Sequence, residues 1–132
     1  MVPEHIEKLI EQLVKKTQLN QATWQSSSGE HAFQIKLKAA TIEIDLWIDE
    51  RENTEYAGIR IYNNDGVLID YYAARYSDSN NRYSYDLLLN FHSVVKRSYY
   101  NVDKVMENLF KEIETKRIVG RREIGESDDL PF

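Results

Sequence analysis

The residue types that most often perform catalysis are sparse and scattered in this sequence. There is no cysteine, and the three histidines, His5, His31 and His92, lie far apart without the spacing of metal ligands. The sequence also lacks a glycine-rich phosphate loop and a nucleophile motif. We therefore expect no metal site, no cofactor and no enzymatic activity.

One pair of carboxylates has a spacing that could support acid–base chemistry. Glu43 and Asp45 are two residues apart in a segment with a period of two, so they project from the same side of one strand. Gln34 and Lys36 are predicted to lie opposite them. A pair of surface charges is therefore the favoured interpretation of Glu43 and Asp45.

Aromatic and basic residues on the same predicted sheet are better suited to binding nucleic acid. Aromatic rings stack on unpaired bases, each stack contributing about 1–3 kcal/mol, and neighbouring cations hold phosphates. Residues 75–83 form a second candidate surface, because this loop precedes a helix N-terminus that favours anions. The predicted nucleic-acid-binding residues are Lys36, Lys38, Trp47, Arg60, Tyr62, Tyr72, Arg75 and Arg82. A protein interface, aromatic cover of the sheet and, for the loop, a solvated connection are the alternatives.

The last residues of the sequence form an acidic segment with an apolar tip. The run Asp128-Asp129-Leu130-Pro131-Phe132 closely resembles the tail of bacterial single-stranded DNA-binding proteins (SSB), over about the last eight residues. In that family the tail recruits replication, recombination and repair enzymes, and the resemblance implies the same role here. The predicted partner-binding residues are Asp128, Asp129, Leu130, Pro131 and Phe132. An acidic tail that only aids solubility is the alternative.

Such a tip suits a pocket with an apolar floor and a basic rim. The Phe132 ring would contribute about 2 kcal/mol of burial, and its carboxylate would accept charge-assisted hydrogen bonds from Arg or Lys. Pro131 restricts the chain before binding, and the two aspartates steer the encounter. The rest of the chain departs from SSB, whose barrel has a helix between its third and fourth strands. The DNA-binding residues of that family therefore cannot be carried over.

Composition indicates a folded chain with a polarised end. The 132 residues are 42% hydrophobic and 30% charged, which is typical of a globular protein. The net charge is −5, but residues 123–132 hold four carboxylates and no basic residue, so the remainder carries −1. We expect one domain over 1–122 and a flexible acidic interaction tail over 123–132. No apolar run approaches the length of a membrane span and no signal peptide opens the chain, so we expect a soluble, cytoplasmic protein without membrane contact.

The helical segments lie at the two ends of the predicted domain. Apolar residues at i, i+3, i+4 spacing predict a helix over about 3–16. A second helical pattern covers 86–116, with Ser84 as its N-cap. One straight helix there would be about 45 Å long. We favour two helices meeting near Asn101, whereas a single long helix could serve as a dimer seam.

Period-two patterns between the helical segments predict two hairpins. A turn at Ala39-Ala40 would pair Leu37 with Ile42 and place Lys36 opposite Glu43. A loop at Asn64-Asp65-Gly66 would pair Ile61 with Ile69 and place Arg60 opposite Asp70.

The predicted fold is α+β, a four-stranded antiparallel meander with one N-terminal helix and one long or two shorter C-terminal helices on one face. The predicted function is that of an accessory protein of DNA replication, recombination or repair. Its body would bind single-stranded DNA and its tail would recruit enzymes that bind SSB tails; a homodimer is also compatible with the pattern. The alternative is a non-enzymatic adaptor, or a phage or mobile-element decoy of the SSB tail, without DNA binding.

Overall fold

A computed structural model describes residues 1–116 and 118–120. Its architecture is α+β. The helices are α1 (Glu4–Gln18), α2 (Arg82–Tyr99) and α3 (Val102–Ile113), and the strands are β1 (Gln25–Ser26), β2 (Phe33–Lys36), β3 (Thr41–Asp49), β4 (Thr54–Tyr62) and β5 (Leu68–Arg75).

The sheet is an antiparallel meander in the order β1-β2-β3-β4-β5. The predicted meander order is confirmed, but the sheet has five strands instead of four. The additional strand is β1, in which Gln25 pairs with Gln34 and Ser26 with Phe33. Two polar residues are too few to show an alternating apolar pattern, so the sequence does not indicate this strand.

The core lies between the sheet and the two helices α1 and α2. Ile6 and Ile10 of α1, Ile44 and Ile59 of the sheet, and Phe91 of α2 are all fully buried. Trp24, which precedes β1, is buried in this core. Its ring meets Phe91 edge-to-face at 5.7 Å between centroids, and its Nε1–H donates to Thr17 Oγ1 at 3.0 Å. The buried indole N–H is therefore satisfied.

The helical pattern after residue 81 is broken at the predicted place. α2 ends at Tyr99 and α3 begins at Val102, with Asn101 in the left-handed region at φ 55°. Asparagine tolerates this conformation better than most residues, and it stops the first helix. The preference for two helices near Asn101 is confirmed. Ser84 as N-cap is wrong, because α2 starts at Arg82 and Ser84 is buried inside it.

The described chain groups into two compact units, Met1–Tyr100 and a second unit that begins at Asn101. Within the second unit, α3 repeats apolar residues at i, i+3, i+4 spacing from Val102 to Ile113. The predicted packing of this helix on the sheet and the predicted division after residue 122 stay predictions.

The first hairpin is displaced by two residues from the predicted register. Leu37 N–H donates to Ala40 O at 2.9 Å, so the turn falls at Lys38-Ala39. Phe33 consequently pairs with Ile44 and Ile35 with Ile42. A shift of two keeps every side chain on its predicted face, because side chains alternate with a period of two. The partner of Glu43 is nevertheless Gln34, and Lys36 lies opposite Thr41.

The second hairpin follows the predicted loop but not the predicted pairing beyond it. Gly66 has φ 80° at the loop tip, and Asn63 N–H donates to Val67 O, as a three-residue loop requires. Tyr62 then pairs with Leu68 while Ile61 pairs with Asp70, so Ile69 is one extra residue. This bulge reverses the faces of β5 beyond it. Arg60 therefore lies opposite Tyr71, and Asp70 contacts His5 of α1 at 2.8 Å.

Candidate nucleic-acid interface

The sheet face opposite the helices carries most of the predicted binding residues. On β3 the buried apolar residues Ile42 and Ile44 point to the helices, so Glu43, Asp45 and Trp47 point outward. The register with β4 adds a second row to this outer face. That row consists of Tyr56, Gly58, Arg60 and Tyr62.

Trp47 lies flat on the outer face and is stacked with Tyr56. The two rings are nearly parallel, with 5.4 Å between centroids and 5° between planes. Gly58 makes this possible, because a Cβ at that position would lie 2.8 Å from Cη2 of Trp47. Arg60 places its guanidinium carbon 5.0 Å from the Trp47 ring centroid. The result is an aromatic platform with a cation beside it.

The charge of Arg60 is shared by two carboxylates of the neighbouring strand. Its Nη1 lies 3.0 Å from Oε1 of Glu43 and 3.4 Å from Oδ2 of Asp45. Burial lowers the pKa of Arg60, but the hydrogen bonds and charges of Glu43 and Asp45 outweigh it, so the pKa lies above its ordinary value. Glu43 and Asp45 therefore form an ion-pair network with Arg60, which replaces the predicted partner Lys36.

Glu43 is nearly buried although it is on the outer face. Ser27 Oγ donates to its Oε2, and Tyr62 OH lies 3.5 Å from its Oε1. Burial first, and then the negative charge of Glu43, raise the pKa of Tyr62. Ser27, Arg60 and Tyr62 all donate to Glu43, so these contacts hold its side chain as a hydrogen-bond acceptor.

Both lysines of this region, Lys36 and Lys38, are exposed. Lys36 is exposed at the end of β2, and Lys38 is exposed in the following turn, where its backbone carbonyl accepts from Asn64 Nδ2 at 2.9 Å. Both lie near a shallow cleft of about 740 Å³ whose lining includes Lys36, Glu43, Tyr62 and Asn64. Cations at this rim could contact a phosphate without breaking an ion pair.

Tyr72 was predicted on the outer face, and that placement is wrong. The bulge at Ile69 turns Tyr72 to the helix side, where it pairs with Ile59 and packs against the core. Tyr71 takes the outer position opposite Arg60 and is exposed. A single extra residue reverses the two faces of a strand. In a segment as short as β5, the hydrophobic pattern does not show that such a residue is present.

The arginines of the second candidate surface are engaged with neighbouring side chains. Arg75 Nη1 lies 3.8 Å from Oε1 of Glu52. Arg82 places its guanidinium 4.5 Å from the Tyr76 ring centroid and pairs with Asp86 at 3.2 Å. The Asp78 carboxylate accepts from the backbone N–H of Asn80. These contacts favour a self-contained loop over an open anion site.

Sequence reasoning missed two residues of the aromatic platform, Tyr56 and Gly58. Both residues lie in β4, and their importance depends on their being adjacent to Trp47 in space. The register of β3 on β4 pairs Trp47 with Tyr56 and Asp45 with Gly58. A glycine inside a strand often marks a position that another group approaches closely. Gly58 was therefore the signal in the sequence that could have indicated the contact with Trp47.

The predicted tail residues Asp128, Asp129, Leu130, Pro131 and Phe132 lie outside the described residues. In residues 1–116 and 118–120, no group of three or more acidic or histidine side chains is placed to hold a metal ion. In the same part of the chain, no helix has the length and apolar character needed to cross a membrane. Comparisons with protein-family models, curated proteins and solved structures find no match.

Proposed function

We propose that this protein is an accessory factor of DNA replication, recombination or repair. Residues 128–132 engage the pocket with which genome-maintenance enzymes hold SSB tails, and the outer sheet face binds single-stranded DNA. The observation that carries the proposal is the sequence Asp-Asp-Leu-Pro-Phe at 128–132. It combines acidic, stiff and aromatic residues in the order that the SSB tail uses.

The platform formed by Trp47, Tyr56 and Arg60 supports the DNA-binding part of the proposal. A base stacked on the exposed part of these rings would add about 1–3 kcal/mol. Lys36 lies on the same side of the sheet and Lys38 is exposed in the turn that follows β2, and both would contact the phosphates. We expect binding that weakens steeply with salt, because phosphate contacts release counterions.

A competition experiment tests the tail. Full-length protein is titrated against a labelled SSB tail peptide bound to an exonuclease or helicase that recognises it. Phe132→Ala should weaken competition about thirtyfold, the equivalent of about 2 kcal/mol of lost burial. Ser127→Ala, outside the matched pentapeptide, should leave it unchanged. Equal competition by wild type and Phe132→Ala would remove the tail from the proposal.

A titration of an oligothymidine tests the body. The fluorescence anisotropy of a labelled oligothymidine, titrated with full-length protein at two salt concentrations, should show binding that is weakened most in Trp47→Ala and less in Lys36→Ala. Lys15→Ala, on α1, is the matched control and should bind as wild type does. A Lys36→Ala variant indistinguishable from wild type at both salt concentrations would exclude the outer face as the binding surface.

One observation favours a second candidate, a protein-interaction adaptor or a phage or mobile-element decoy without DNA binding. The guanidinium of Arg60 is already held by Glu43 and Asp45, which lowers the positive potential of the outer face. Under this alternative the tail competes as above, but oligothymidine does not bind even at low salt. The two titrations together therefore separate the candidates.

A further inference from the structure

Half of β3 has a free edge. β2 pairs with β3 only as far as Phe33 opposite Ile44, whereas β4 pairs with β3 as far as Asp49 opposite Thr54. Among the described residues, no strand continues along β3 on the β2 side beyond Ile44. Residues 45–48 therefore have a strand neighbour on one side only; on the other side the loop that contains Gly29 lies beside Asp45.

The backbone groups of Leu46 and Ile48 point to this open side. Leu37 N–H donates to Ala40 O, so alternate pairs from there, including Ile42 and Ile44, exchange hydrogen bonds with β2. The same alternation turns Leu46 and Ile48 toward the position that β2 has left. No backbone group of the described loops bonds to either residue. Such a row of unpaired groups is a template for another strand.

A cleft of about 610 Å³ lies along this edge. Its size is in the range of ligand-binding pockets in proteins. It contains four aromatic side chains, Trp47, Tyr56, Tyr76 and Tyr85. It also contains four carboxylates, Glu30, Asp45, Glu50 and Glu55.

The chemistry of this lining favours a cation with apolar neighbours. Among the described residues that line the cleft there is no lysine or arginine. Aromatic faces attract cations, and carboxylates pair with them. Ile48 is 62% exposed and Leu89 is 38% exposed at the same cleft, so apolar surface is also available to an occupant.

We propose that the Asp45–Ile48 edge binds an extended, basic peptide segment of a partner protein by adding it to the sheet as a strand. The peptide backbone exchanges hydrogen bonds with Leu46 and Ile48. Because side chains alternate, those opposite Leu46 and Ile48 point to the side of Tyr85 and Leu89, and those opposite Trp47 point to the outer face. Lysine or arginine in the segment meets Glu30 and Glu50, because Asp45 already pairs with Arg60 and Glu55 accepts a hydrogen bond from Tyr85. This surface shares Trp47 and Tyr56 with the aromatic platform, but it includes neither the tail nor the lysines of the proposed DNA interface.

Amide hydrogen exchange on the full-length protein tests the proposal. The probe is an acetylated, amidated heptapeptide in which lysine and valine alternate. At a concentration of about ten times its Kd, exchange of the Leu46 and Ile48 amides should slow about tenfold. The amides of Asp45 and Trp47 point to β4 and should not change, so they are an internal control.

Matched variants separate strand addition from attraction of charge alone. N-methylation of the peptide amides that face β3 should abolish binding, whereas methylation of the alternate amides should not. Glu30→Lys, at an exposed position of the cleft, should weaken binding, and Glu114→Lys in the second unit should not.

Four results would overturn the proposal. The first is an absence of binding at about 1 mM peptide. The second is equal affinity for a peptide with glutamate in place of lysine. The third is binding without slower exchange at Leu46 and Ile48, which would indicate a simple cation site. The fourth is a dimer in which these two amides are already protected without peptide, which would assign the edge to a second copy of the chain.

Discussion

The two faces of the sheet are held by different kinds of interaction. The face toward α1 and α2 is apolar, with Ile44, Ile59 and Phe91 fully buried. The outer face is held by directional contacts, in which Arg60 joins Glu43 and Asp45 and stands beside Trp47. Burial of apolar area stabilises the fold without fixing a particular geometry, whereas directional contacts fix side-chain positions. We therefore expect the helix side to govern stability and the outer side to govern local geometry and binding.

The largest effect is expected from Phe91→Ala on the helix side. Phe91 is fully buried and meets Trp24 edge-to-face, so its truncation should lower the free energy of unfolding by about 3–5 kcal/mol. Urea denaturation measures this loss. Leu89→Ala removes a partly exposed side chain from the same helix and should cost well under half as much. Similar losses for the two variants would contradict the assignment of the core to this side.

A smaller loss is expected from Glu43→Gln on the outer side. The substitution keeps the shape of the side chain but removes a charge that Arg60, Ser27 and Tyr62 all contact. The expected loss is about 1–3 kcal/mol, because a nearly buried hydrogen-bonded charge is replaced by a neutral amide. Glu52→Gln, at an exposed ion pair, should be close to neutral. A loss equal to that of Phe91→Ala would mean that the two faces do not differ as proposed.

The arrangement of the helix side could be predicted well from the sequence. Apolar periodicity placed α1, the two C-terminal helices and four strands in the correct order, because the side chains that carry the pattern are those that the core buries. Phe33, Ile35, Ile42 and Ile44 are on the predicted face even though their register is displaced by two residues.

The outer face could be predicted only in part, because its contacts depend on exact register. The turn at Lys38-Ala39 and the extra residue Ile69 each change which polar side chains meet. Arg60 was therefore assigned to Asp70 instead of Glu43, and Tyr72 was assigned to the wrong face. Apolar pattern constrains a strand to one of two faces, but it does not specify which polar residue lies opposite another.

Gly58→Ala tests the outer face at one contact, the close approach of Trp47 to Gly58. The added Cβ would lie 2.8 Å from Trp47 Cη2, so the indole must move and its stack with Tyr56 must loosen. We expect a loss of about 1–2 kcal/mol and a shifted tryptophan emission. In a Trp47→Ala background the same substitution should cost little, since the contact is gone. If the losses in free energy of unfolding were additive in this double-mutant cycle, the absence of a side chain at Gly58 would not be what allows Trp47 to pack there.

The smallest expected effect concerns pH, and it arises on the helix side. His92 is buried in α2, beside Phe33, with its Nε2 2.6 Å from the carbonyl oxygen of His31. A carbonyl only accepts, so Nε2 carries the proton and the neutral ring donates it. Burial lowers the pKa of His92 and the hydrogen bond to the His31 carbonyl opposes this, but the charges of Lys96 and His31 also lower it, so the pKa lies below its ordinary value.

The sign of the pH dependence follows from this lowered pKa. In the unfolded chain His92 titrates at its ordinary value, about 6.5, so on acidification the unfolded state takes up the proton first. Stability contributed by neutral His92 is therefore present above about pH 6.5, decreases as the pH falls below it, and levels off below the folded-state pKa. Urea midpoints at about pH 7.5 and 5.5 should differ less in His92→Gln than in wild type, whereas Asn90→Ala, at an exposed and uncharged position of α2, should keep the wild-type difference. If His92→Gln kept the full pH dependence, the acid sensitivity would belong to groups outside the core, and the helix side would owe its stability to apolar burial alone.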